Sequence, residues 1–177
     1  MMVLAVDLAT RTGCAYGATG TSPTTWAVDF GRFKDHDARL AQVLRWVRHQ
    51  HDTICPDLIA VEAPIGGKEA SALLIGMAAC VRAQAADLGI ASVFYASSSV
   101  RKHFLGKALV ARDFPGLGQA AAKLAIKGKV LQRCKALGWE VGGLDEADAA
   151  ALWDYACARE STAHQMHTVG GLFGEQQ

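Results

Sequence analysis

An α/β fold is predicted, with a mixed five-stranded sheet in which an antiparallel meander continues into parallel strands and helices cover the faces. Its grounds are an apolar, β-rich opening, later strand-like runs that alternate with segments of helical spacing, and a composition suited to one core. The chain has 177 residues, 51% hydrophobic, 20% charged and only 4 prolines. That is enough to bury a core without disulfides or a structural metal, and it excludes a disordered or collagen-like chain.

Met2 to Leu8 is almost wholly apolar and rich in Val and Ala; Thr10 to Gly13 read as a turn, and Cys14 to Gly17 as a second strand. Thr25 to Phe33, with Trp26, Val28, Phe30 and Phe33 alternating with small or polar residues, completes the meander. Leu40, Val43, Leu44 and Val47 then fall at helical intervals behind two capping candidates, Asp35 and Asp37, and Pro56 ends the helix. Asp57 to Ala63 gives a buried strand that delivers Glu62 just before Pro64 and a Gly66-Gly67 turn. Ala70 to Asp87 is Ala-rich and apolar on several sides, a well-buried helix stopped by Gly89. Ala91 to Ala96 is the fifth strand.

Ser97 to Ser99 are candidate caps for a short helix through Phe104, and Gly106, Pro115, Gly116 and Gly118 mark a mobile loop carrying Lys107 and Arg112. Ala120 to Leu137 returns to helical spacing, with Leu124, Val130, Leu131 and Cys134 on one side. Leu144-Asp145-Glu146-Ala147-Asp148 opens a last Ala-rich helix that runs to about Arg159. There is no internal repeat and no linker, so residues 1–165 form one domain and the Gly-rich residues 166–177 a flexible tail.

No apolar run spans a bilayer, and the opening apolar residues meet Asp7 almost at once, unlike a secretion signal. Five scattered cysteines without a C-x-x-C pair read as reduced, so a cytoplasmic protein is expected. The formal net charge of +1 conceals a strong polarity: residues 101–135 hold nine of the 18 basic residues and one acid, leaving the remainder at −7. A basic segment of this kind neutralises phosphates, while a separate acidic set can hold cations against the same polyanion; a solvated basic helix face is the plainer alternative.

Four acids stand where packing alone would avoid them: Asp7 inside an apolar strand, Glu62 at the end of another, and Asp145 with Asp148 at a helix start. Desolvating a lone carboxylate is costly, so a buried one needs a partner or a cation. Asp145 and Asp148, one helical turn apart, share a face, and Glu146 points about 100° away. Singly, Asp145 is explained as a helix cap and Asp148 as a first-turn acid at the helix dipole. Together the four fit a hard cation such as Mg²⁺, which takes carboxylate oxygens and bridges to phosphate.

Val3-Leu4-Ala5-Val6-Asp7, Asp57 to Glu62, Ser99-Val100-Arg101-Lys102 leading to Leu105-Gly106, the basic helix Lys123 to Lys135, and Leu144 to Ala149 together resemble the RuvC Holliday-junction resolvases of the RNase H-like superfamily, especially the short phage-type versions. The resemblance covers most of residues 2 to 160. It implies an RNase H-like sheet and an endonuclease that resolves four-way DNA junctions, or related branched DNA, by paired symmetric nicks. It further implies that Asp7, Glu62, Asp145 and Asp148 are a catalytic tetrad holding two Mg²⁺ ions, for which Mn²⁺ can substitute, and that the protein is a homodimer. Arg11, Lys68, Arg101, Lys102, Lys107, Arg112, Lys123, Lys127, Lys129 and Arg133 are the corresponding candidates for holding DNA. The chain departs from the bacterial pattern in Leu8-Ala9-Thr10, where a Pro-Gly turn is usual, in a longer loop from Ala108 to Gln119, and in Ile65, near which an aromatic residue often stands.

Three other readings compete, one of them a different RNase H-like nuclease acting on RNA or flaps. An actin-like ATPase or kinase also starts with a strand Asp and a Thr/Gly turn, but it needs two such domains and a second phosphate motif. A catalytically silent DNA-binding protein of the same fold keeps the basic segment without cleavage. No nucleotide cofactor is expected: Gly66-Gly67-Lys68-Glu69 lacks P-loop spacing, and Gly116 to Ala121, a formal G-x-G-x-x-A, follows no buried strand.

Overall fold

Five strands, β1 (Met2–Asp7), β2 (Arg11–Ala18), β3 (Thr24–Asp29), β4 (Leu58–Glu62) and β5 (Ala91–Tyr95), form one sheet in the order β3-β2-β1-β4-β5. In this computed structural model, which describes residues 1–33, 35–64 and 71–161, β1 to β3 are the expected antiparallel meander, and β4 and β5 add parallel to β1. Helices α1 (His36–Ile54), α2 (Ala72–Asp87), α3 (Ser97–Leu105), α4 (Gln119–Ala136) and α5 (Leu144–Glu160) cover both faces. The Gly66-Gly67 turn, Lys68 and the tail from 166 onward lie outside the described residues.

Alternation along the central strands sorts the core into two halves. Val3 and Ala5 of β1 with Leu58 and Ala60 of β4 point toward α3, α4 and α5, around the fully buried Trp153. Leu4, Val6, Ile59 and Val61 point the other way, onto Val43 and Val47 of α1 and Met77 and Val81 of α2. By the same period of two, Asp7 and Glu62 belong to the α5 face, at the carboxyl ends of adjacent parallel strands.

Asp35 rather than Asp37 caps α1, its carboxylate accepting from the Ala38 amide at 2.6 Å. Three local expectations are corrected. The turn after β1 is shorter than Thr10 to Gly13: Thr12 is already a buried strand residue, and its hydroxyl donates to the Ala9 carbonyl at 2.7 Å, closing the turn one side chain earlier. Helix α3 starts at Ser97 itself, with Ala96 in the cap position and no side-chain capping bond, so the serines lie inside the helix. In α4 the buried side is Ala122, Ile126, Val130 and Cys134, a row four apart of which Val130 and Cys134 join the α5 core, whereas Leu124 lies on the opposite side and is 60% exposed.

Candidate active site

Asp7 and Glu62 follow Val6 and Val61, a directly registered pair in the β1–β4 ladder, so the strand pairing alone brings the two carboxylates to one edge. The third and fourth acids arrive on α5, and a glycine permits it. Gly13 is the register partner of Asp7 across the hairpin, and a Cβ there would fall 2.0 Å from the Asp145 carbonyl oxygen. Only a residue without a side chain lets the first turn of α5 lie directly on β2 beside Asp7. Glu146, turned away from the acids as its spacing predicts, fixes this approach: its carboxylate accepts from the Gly142 amide at 2.7 Å and from the Thr25 hydroxyl at 3.1 Å. The N-cap of α5 is Gly143, so Asp145 is not the helix cap and is left for another task.

Electrostatics report the convergence. Burial pushes the Asp7 carboxyl up to about 7, with Glu62, Asp148 and Asp145 adding repulsion against the pull of Lys127. Glu62 is raised by burial and by Asp148, opposed by Arg101, the Ser97 hydroxyl and Lys127. Asp148 is also raised by burial, with Lys127 and Arg101 holding it down. A small cleft of about 90 Å³ opens at this edge between Asp7, Leu8, Glu62, Ala63, Pro64 and Leu74. A larger groove of about 870 Å³, between Thr24 and Thr25 of β3 and Trp139 to Gly142, contains none of the four acids. Like charges buried together with raised proton affinity are the pattern expected of a functional site, which makes this edge, rather than the larger groove, the candidate.

Of the basic candidates, Lys127 is drawn furthest into the site. Its ammonium donates to Asp145 Oδ1 at 3.0 Å and lies 2.9 Å from Asp148 Oδ2, so it is engaged by acids rather than displayed for a backbone phosphate. Burial works against its charge, but Asp148 and Asp145 outweigh that and raise its proton affinity. Arg101 is half-buried within electrostatic reach of Glu62 and Asp148, and Arg11 touches Asp145 weakly at 3.7 Å from an exposed position. Lys102, Arg112, Lys123 and Lys129 are exposed, Arg133 is half-buried, and Lys107 is paired with Asp113 at 2.7 Å in the loop. The sequence placed Lys127 in the basic segment but did not reveal its contact with the acids, and it did not single out Gly13. The available signal for the latter was a glycine facing a strand acid across a hairpin.

All four oxygen-donor side chains are suited to a hard divalent cation. Among the described residues, however, no three His, Cys, Asp or Glu side chains are arranged to grip an ion as they stand. The chemistry of the donors fits; the space between two of them is held by an ammonium.

The fold is that of the RuvC structures, a class of Holliday junction resolvases, and so matches the RNase H-like expectation. Thermus thermophilus RuvC superposes with a TM-score of 0.67 at 17% identity, over 90% of this chain and 96% of that one. T. thermophilus RuvC in complex with Holliday junction substrate gives the same score and identity over 93% and 99%. The yeast mitochondrial Holliday junction resolvase gives 0.54 at 11% identity over 89% and 80%. No family model and no curated protein sequence matches the chain. No helix among the described residues is long and apolar enough to cross a membrane.

Proposed function

We propose that this protein is a structure-selective endonuclease that resolves four-way DNA junctions, or related branched DNA, by paired symmetric nicks. The observation that carries this reading is the meeting of Asp7, Glu62, Asp145 and Asp148 at one edge of the sheet beneath the basic α3–α4 segment. Structures of the same fold were solved with Holliday junction DNA, which makes this substrate class the first to test. Two Mg²⁺ ions, or Mn²⁺, held by these carboxylates would activate water and stabilise the leaving 3′ oxygen, giving 5′-phosphate and 3′-hydroxyl ends.

The chain's own residues have separable duties. Asp7 is the central acid, since it feels the other three, and the β1–β4 register together with Gly13 fixes its distance from them. Exposed Lys102, Lys123 and Lys129 on α3 and α4 neutralise the phosphates on either side of the cut. Half-buried Arg101, next to Lys102 in the chain, is within electrostatic reach of Glu62 and Asp148. Two symmetric nicks need two such sites, so a two-fold homodimer is the assembly, and the exposed side of α2 formed by Ala72, Ile75, Ala79 and Ala83 is its candidate interface.

The test is incubation of the protein with a labelled synthetic four-way junction and a matched linear duplex, in Mg²⁺ or in chelator. Paired, metal-dependent nicks confined to the junction are expected. Equal cutting of the duplex would remove the structure selectivity. One observation favours a second reading, a silent DNA-binding protein: Lys127 already bridges two of the four acids. Tight junction binding without nicks in either Mg²⁺ or Mn²⁺ would establish it.

A further inference from the structure

Lys127 touches two carboxylates of the cluster from a helix that otherwise presents its lysines to solvent. Its side chain is 33% exposed, while its neighbours Lys123 and Lys129 are in the open. A salt bridge serving only to fasten α4 to α5 would have no need of Asp148, which is nearly buried, nor of a position that also acts on Asp7 and Glu62. Buried Val130 and Cys134 already pack α4 into the α5 core. An ammonium and a divalent cation compete for the same carboxylate oxygens, and a cation arriving beside the seated ammonium meets its repulsion.

We infer that Lys127 is an internal counter-ion that closes the acid cluster in the free protein and must leave Asp145 and Asp148 before a divalent cation can bind there. Metal loading is then weak in the absence of DNA, and DNA strengthens it, because backbone phosphates offer the displaced ammonium a new partner. The coupling is reciprocal, so metal also favours DNA. The outcome is a nuclease whose site completes itself on its substrate. This rests on the metal-dependent reading proposed above, and it assigns to Lys127 a positioning and gating duty rather than simple phosphate contact.

The measurement is calorimetric titration of Mn²⁺ into the full-length chain without DNA, for the wild type, Lys127→Met and Lys127→Arg. Removing the competing charge should tighten Mn²⁺ binding by about tenfold or more, the size of a moderate coupling between two ligands, whereas the arginine variant should show no gain. Where Lys127→Met fails to fold, Lys127→Gln provides the same comparison with a hydrogen-bonding neutral side chain. Adding an uncut four-way junction, with Ca²⁺ replacing Mn²⁺, should raise the affinity of the wild type for the ion and leave that of the neutral variant nearly unmoved. Mn²⁺ binding that is unchanged or weaker in the neutral variants would show Lys127 to be a fastener and overturn the inference. Equal enhancement by DNA in both chains would overturn its DNA half. Absence of Mn²⁺ binding in every chain would sink the metal-dependent reading itself, a result distinct from the other two.

Discussion

A single methyl group at Gly13 is expected to abolish cleavage while leaving junction binding largely intact. Its Cβ would sit 2.0 Å from the Asp145 carbonyl oxygen and 2.4 Å from the carbonyl carbon, both backbone atoms that cannot rotate aside. Restoring ordinary contact at about 3.4 Å requires β2 and the start of α5 to separate by roughly 1.4 Å. Catalytic constellations tolerate about 0.5 Å, and a 1 Å misplacement costs on the order of 100-fold in rate. Gly13→Ala should therefore nick a junction at least about 100-fold more slowly and lose about 1–3 kcal/mol of stability, the usual cost of overpacking. Single-turnover nicking, urea unfolding and a gel shift in chelator measure the three quantities. Gly128→Ala is the matched control: it lies within α4 with no atom within 4 Å of the added carbon, so it should gain about 0.5–1 kcal/mol from helix propensity. If Gly13→Ala unfolds at the wild-type urea concentration and cuts within a few-fold of the wild-type rate, α5 does not rest on β2 as described and the assembly of the site must be reconsidered.

Asp7→Asn should also stop cleavage and spare binding, but with the opposite effect on stability. Because burial and the neighbouring acids raise Asp7 from 3.8 to about 7, the metal-free fold prefers it protonated; that contribution is complete below 3.8 and is lost as pH rises through 7. In chelator at pH 8 the asparagine variant should be about 2–4 kcal/mol more stable than the wild type, with the gap narrowing at pH 5; urea melts showing equal gaps at both pH values would contradict the clustering. His103→Leu removes the ring that lies 2.9 Å from the carboxylate of the fully buried Asp154, so thermal unfolding should report a loss of about 1–3 kcal/mol. Leu124→Ser should change stability by less than about 0.5 kcal/mol, while Ile126→Ser, two residues away on the buried side, should cost several-fold more; the reverse order would restore the face read from spacing.

The sheet was legible because each strand carries its own signal: an unbroken apolar run for β1 and β4, buried on both faces, and turn residues around the meander. The acids were legible because an ionisable group at the end of such a run has no packing reason to be there. Less visible were features that depend on how elements meet. Leu124 fits an apolar helix stripe as well as Ala122 does, and only the way α4 docks on the rest of the molecule decides which of them is buried. Lys127 looks like any lysine of a basic helix until α5 places Asp145 and Asp148 beneath it. Gly13 reads as a turn residue, since a requirement for absent atoms leaves no mark on hydrophobic period or charge.

The pairing of Val6 with Val61 has a consequence for how activity can arise during folding. Sliding β4 by one residue along β1 would still satisfy a parallel ladder, yet it would turn Glu62 into the apolar half of the core and leave Asp7 without its neighbour. The acid cluster therefore exists only in the correct register, and a misthreaded chain is both unstable and inert. For the nuclease proposed here, this is a safeguard built into strand alignment: the molecule gains its cutting site at the same step at which its central sheet is correctly sewn.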